Sequence, residues 1–147
     1  MAVQDGATKR KELEVLVRSV IAIVLLLHGI GHLLFLANSW GYWKGGEESR
    51  SWLFSGVFGV GQAVEGIFGL LWLIPLIGFV AVSWGYLTHQ GWWPQVALAS
   101  AAISLVMIVL WWGGLVTGSA FFALVFDIVV ILIVLWQLSS GAAPSGG

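Results

Sequence analysis

Apolar residues run almost unbroken along this chain, and polar ones gather into a few short stretches. No Asp, Glu, Lys or Arg occurs for 25 residues between Arg18 and Lys44, or for 61 residues from Gly66 to Phe126. About 20 apolar residues cross the hydrocarbon core of a bilayer. The pattern therefore predicts membrane spans at about 13–36, 62–87, 95–112 and 119–138. Asn38 and Ser39 mark the exit of the first span. Splitting the second at Pro75 would leave halves too short to cross, so Pro75 predicts a kink inside one helix. The loop 37–61 divides into a polar piece, "NSWGYWKGGEESRSW", and "LFSGVFGVG", which is too short to span and suits a short interfacial helix. Residues 139–147 read as a flexible tail. The expected fold is all-α: one membrane domain over residues 1–147, an antiparallel four-helix transmembrane bundle.

Composition supports that class. Of the 147 residues, 59% are hydrophobic and 9% charged, against roughly 25% charged in soluble domains. A net charge of −1 gives no sign of a nucleic-acid partner. The absence of cysteine removes disulfides, a thiolate nucleophile and cysteine metal cages.

Charge placement predicts orientation. Lys9, Arg10, Lys11 and Arg18 precede or open the first span, which places the N-terminus, and after four spans the C-terminus, in the cytoplasm. The first apolar run exceeds a signal-peptide h-region, and Phe35 stands where a cleavage site needs a small residue, so it reads as an uncleaved anchor. Tryptophan favours membrane interfaces. On this topology Trp40, Trp43, Trp52, Trp111 and Trp112 fall at the outer edge and Trp84, Trp92, Trp93 and Trp136 at the inner one, leaving Trp72 within the membrane. The expected location is a bacterial-type cytoplasmic membrane, crossed several times.

Small residues predict how the spans pack. Ala97/Ala101 and Ser100/Ser104 repeat at four-residue spacing, Gly66, Gly69 and Gly78 mark the second span, and Ala120 and Ala123 the fourth. Such faces let helix backbones approach closely.

The candidate chemistry lies in the few polar residues inside spans: His28, His32, Glu65, Asp127 and Ser104. A mid-span Asp costs about 2.5–3.5 kcal/mol on insertion scales, so these groups should face the bundle interior. Helical rise places His28, Asp127 and Ser104 roughly 12–15 Å below the outer boundary, His32 roughly 9 Å and Glu65 roughly 5 Å. His28 and His32, four apart, share a helix face. The depths pair His28 with Asp127 and His32 with Glu65.

Three uses of this set stand open: hydrogen bonds that fix the bundle's register, a proton or small-ligand site in the outer half, or a metal site on His28 and His32 with an acid. Bis-histidine haem ligation needs imidazoles on opposite sides of iron, which one helix face does not offer. His89, in "THQGWWPQ", reads as a solvated loop histidine, and Lys44, Glu47, Glu48 and Arg50 as a solvated loop tip. The segment "KRKELEVLVR" reads as a topology signal with a helix start, and anionic lipid is the second reading of its basic residues. No nucleophile–base set or phosphate-cradling motif is visible, so the reading favours a non-enzyme with no assigned cofactor.

The stretches "LLLHGIGHLLF", "GLLWLIPLIGFVA", "WWPQVALASAAISLVMIVLWW" and "FDIVVILIVLWQ" resemble small bacterial four-helix membrane proteins of the DoxX-like group. The likeness runs over about residues 20–137 and centres on His28-Gly29…His32. Asp127 stands where such proteins carry an amide. The resemblance implies a redox- or proton-coupled membrane component as the alternative to an accessory subunit whose polar cluster organises helices or binds a small ligand. A metal-binding or transport module is a third possibility. Expected partners are the lipid bilayer and a second copy or a membrane complex.

Overall fold

A computed structural model of the chain describes residues 2–42, 51–112 and 117–141. The described residues are helical with short connections. Helix α1 runs Ala2–Ser39, α2 Gln62–Gly69, α3 Leu73–Leu87, α4 Trp93–Leu110 and α5 Thr117–Ser139. A π-helical segment, Trp52–Val57, precedes α2, and a 3-10 turn, Leu70–Trp72, joins α2 to α3. Four stretches are long and apolar enough to cross a membrane: Thr8–Ser39, Ala63–Leu87, Trp93–Leu110 and Gly118–Ser139. The expected charged loop tip and most of the expected tail lie outside the described residues, as does Trp43.

The first helix begins well before the expected boundary near residue 13. Its added turns hold Ala, Gln, Lys, Arg and Glu, all strong helix formers, so the backbone continues through the charged segment. Pro75 acts as a local tightening rather than an isolated bend. Its ring has no N–H to offer the carbonyl four residues back. The chain answers with the 3-10 turn, in which the Leu73 N–H donates to Leu70 O. One apolar stretch, Ala63–Leu87, thus continues through α2, the turn and α3.

Packing follows chain order. Helix α1 lies along α3, α3 along α4, and α4 along α5. Glycine sets the closest approach: a Cβ on Gly29 would sit 2.9 Å from Phe79 Cβ and 3.2 Å from the Leu76 carbonyl oxygen. Gly78 meets the Ser100 side chain in the same way, and Gly69 meets Ser39. Ser83 on α3 donates to the Ala22 carbonyl of α1 at 2.7 Å.

The series does not close on itself. Helices α1 and α5, its two ends, lack the extended backbone contact that joins the other neighbours. Two clefts lie between them. One of about 500 Å³ is lined by Leu27, His28, Gly31, Phe122 and Phe126 among others. The other, of about 300 Å³, is lined chiefly by Val24, Val130, Val134 and neighbouring apolar residues. Phe126 lines both.

Two apolar clusters make the core. Phe35, Leu36, Trp72, Met107, Ile108, Trp111, Ala120 and Ala123 fill the end where Ser39, Ser51 and Leu110 meet. Leu25, Phe79, Val82, Ala97, Ala101 and Val134 fill the opposite half. Trp111, expected at an interface, is fully buried in the first cluster. It sits against Trp72 and Phe54, because the π-helical segment folds over the end of α4 and covers it.

Candidate functional site

Between the two apolar clusters lies one polar layer, built from α1, α4 and α5. His28 and His32 stand one turn apart on α1, Ser104 is on α4 and Asp127 on α5. The close approach at Gly29 presses Phe79 between the histidines: its ring meets His28 edge-on at 4.6 Å and His32 stacked at 5.9 Å between centroids. Phe126 stacks on His28 from the other side at 4.1 Å. The imidazoles are therefore held by aromatic walls as well as by hydrogen bonds.

Donor and acceptor chemistry fixes how these groups connect. His32 Nδ1 faces two backbone carbonyls, His28 O at 3.0 Å and Gly29 O at 3.3 Å. Carbonyls only accept, so Nδ1 carries the proton and donates. Nε2 of the neutral ring is then an acceptor, and the Ser104 hydroxyl, 2.8 Å away, donates to it. His28 Nε2 lies 2.9 Å from Asp127 Oδ1; with the carboxyl ionised and the ring neutral, Nε2 carries the proton and donates to it, which leaves Nδ1 the acceptor. Ser104 also lies beside the Asp127 carboxyl, so the two histidine bonds share one layer, although the single Ser104 proton is committed to His32. Asp127 is fully buried, and its Oδ2 has no hydrogen-bond partner among the described residues.

The layer has a sealed end and an open end. His32 is 1% exposed. Both of its ring nitrogens are committed within the protein. The His28 side chain keeps 11% of its surface and lines the larger cleft between α1 and α5. Its only hydrogen bond among the described residues is the one to Asp127, so Nδ1 remains a free acceptor.

Glu65 does not belong to this layer. It is buried near the start of α2, where it accepts from the Ser51 backbone N–H and the Ser55 hydroxyl. The expected His32–Glu65 pair is replaced by His32–Ser104 and by a separate clasp at Glu65. Two donors at the π-helical segment reach the Glu65 carboxylate, whereas the aromatic wall of Trp72 and Phe35 surrounds His32. Ser51 Oγ also donates to Leu110 O at 2.6 Å, and Trp52 Nε1 to Val109 O at 2.6 Å. These bonds occupy two of the carbonyls that an α-helix leaves open at its C-terminus. Sequence reasoning did not single out Ser51 and Ser55, although their four-residue spacing puts both hydroxyls on one side of a helical turn.

His89 is exposed, as a loop histidine would be, but it is not simply solvated. Arg18 donates to its Nε2 and to the Tyr86 carbonyl, and the guanidinium lies 5.4 Å from the Tyr86 ring centre. The turn that carries His89 has φ of 57° at that residue. Gly31, one of the two glycines in "HGIGH", makes no close approach: it opens onto the cleft.

No group of three His, Cys, Asp or Glu side chains converges in metal-holding geometry among the described residues. His28 and His32 turn their Nε2 atoms to different partners, Asp127 and Ser104. The chain matches no family model, no curated protein and no solved structure.

Proposed function

We propose that this chain is a small multi-pass membrane protein, non-enzymatic in itself, whose polar layer ties its fourth span to its first. The observation that carries this reading is the His28–Asp127 bond across the one seam that backbone packing leaves open. A lone mid-span carboxylate is costly in hydrocarbon, and interhelical partners reduce that cost. The cluster then acts as a register lock for an accessory subunit that works beside a second copy or another membrane protein. The basic N-terminal cluster favours both termini in the cytoplasm, which puts the polar layer in the outer half of a bacterial cytoplasmic membrane.

The redox- or proton-coupled alternative suggested by the DoxX-like resemblance has one observation in its favour, the run of His28, Asp127, Ser104 and His32 side chains in one layer. That run ends at His32 on backbone carbonyls within the same helix, so among the described residues it forms no continuous hydrogen-bonded path from one face to the other.

Alanine cycles test the reading in detergent-purified protein. His28→Ala and Asp127→Ala, singly and together, should reveal a stabilising coupling on the order of 1 kcal/mol, within the roughly 0.6–1.7 kcal/mol range of membrane hydrogen bonds. Purely additive losses would sink it. The chain lacks cysteine, so single cysteines at Gly6 and Gly141 report orientation directly. Both should react with an impermeant maleimide only from the cytoplasmic side.

A further inference from the structure

The open end of the polar layer has a chemical character that a register lock alone does not use. His28 donates through Nε2 to Asp127, which leaves Nδ1 as a lone-pair acceptor held in one orientation by a carboxylate behind it. Rings on either side, Phe79 and Phe126, keep the imidazole from turning away. The residue is part of the wall of a cleft of about 500 Å³, within the range of small-molecule sites. Leu27, Leu34 and Phe122 stand at its mouth and are 53–75% exposed. The mouth therefore opens sideways, between two apolar helices, rather than at an end of the bundle. At the floor Gly31 presents no side chain, and a Cβ built there meets nothing within 4 Å.

We infer that this cleft binds an apolar, bilayer-dissolved molecule that carries one hydroxyl donor, with its O–H donating to His28 Nδ1. The inference rests on the membrane reading above and adds a ligand class to it. Two features decide the class. The wall is almost wholly apolar, which selects a hydrocarbon body over a water-soluble one. Among the described polar residues that line it, His32 is committed at both nitrogens and Ser119 is engaged. That leaves His28 Nδ1, an acceptor in the neutral ring, to select a donor headgroup over a carbonyl, an ether or an anion. A donor restores a hydrogen bond that Nδ1 would otherwise lack in a dry setting, whereas an ether leaves it unmade. No covalent step is involved.

The probes are 4-octylphenol and its methyl ether, which share a body and differ in the O–H. Protein in lipid nanodiscs, labelled with ¹⁵N at histidine, reports the Nδ1 resonance of His28, and thermal unfolding reports binding. The phenol should bind at least tenfold more tightly than the ether, raise the unfolding midpoint and move the His28 Nδ1 signal alone. Gly31→Leu fills the cleft beside His28 and should abolish both responses, while the His28–Asp127 coupling measured in that background should persist and show the polar layer intact. Equal binding of phenol and ether, an unmoved Nδ1 signal, or full phenol response in Gly31→Leu would each overturn the proposal. The His28–Asp127 alanine cycle separates the two readings. Coupling that persists without phenol binding sinks the ligand site alone, and loss of coupling sinks the lock beneath it.

Discussion

The two faces of α1 close by different physics. Toward α3, Gly29 lets the backbones approach until a single methyl would collide, so shape holds that seam. Toward α5, two residues on, Gly31 faces empty space, and at that level the helices meet side chain to side chain, through the His28–Asp127 hydrogen bond and the stack of Phe126 on His28. The contrast gives a physical reason for ionisable residues midway along apolar helices. Where small residues allow close packing, shape does most of the holding, with Ser83 adding one bond to the Ala22 carbonyl. Where they do not, a polar contact can reach across a gap that side-chain packing leaves unfilled.

Substitutions that exchange these conditions test the contrast. The largest effect should come from Gly29→Val, which drives a branched side chain into Phe79 and the Leu76 carbonyl. A loss of about 2–3 kcal/mol is expected from overpacking, read as a lower unfolding midpoint in detergent. Glu65→Ala releases the clasp on Ser51 and Ser55, and should cost about 1.5–2 kcal/mol, typical of hydrogen bonds to a charged acceptor. Its effect should be regional. Amide exchange should quicken across 51–57 and leave the Ser104 region protected. The alanine cycle at His28–Asp127 should give more coupling than the same cycle at His32–Ser104, the latter near 0.6 kcal/mol, because the second pair joins neutral groups. Gly31→Ala should change least, and in the opposite direction. With nothing nearby to strike, it gains up to about 0.5–1 kcal/mol from helix propensity.

Much of this architecture was legible in the sequence because it depends on local composition. Four long apolar stretches bounded by polar or glycine-bearing turns leave little choice of element, and the helices fall where those stretches lie. Rise per residue was enough to set His28, Ser104 and Asp127 at one level. It failed for His32 and Glu65, because neighbouring depths do not imply a shared face, and His32 instead reaches Ser104 of the deeper level. Whether two side chains meet depends on helix rotation and on what intervenes, here Trp72, Phe35 and the folded segment 51–57. The open seam was likewise beyond reach. Small-residue stripes indicate which faces can approach closely, but not which pair of helices is left apart when four spans pack in series.

Helix α1 is unbroken from Ala2 to Ser39. At about 1.5 Å per residue it is roughly 57 Å long, nearly twice the hydrocarbon thickness of a bilayer. Lys9, Lys11, Glu12 and Glu14 near one end, and His28 toward the other, therefore ride on the same stiff rod. Between them Arg18 is anchored to Tyr86 and His89, and Ala22 to Ser83. The charged stalk and the imidazole wall of the cleft are thus two ends of one helix, moored along its middle to α3 and the turn after it.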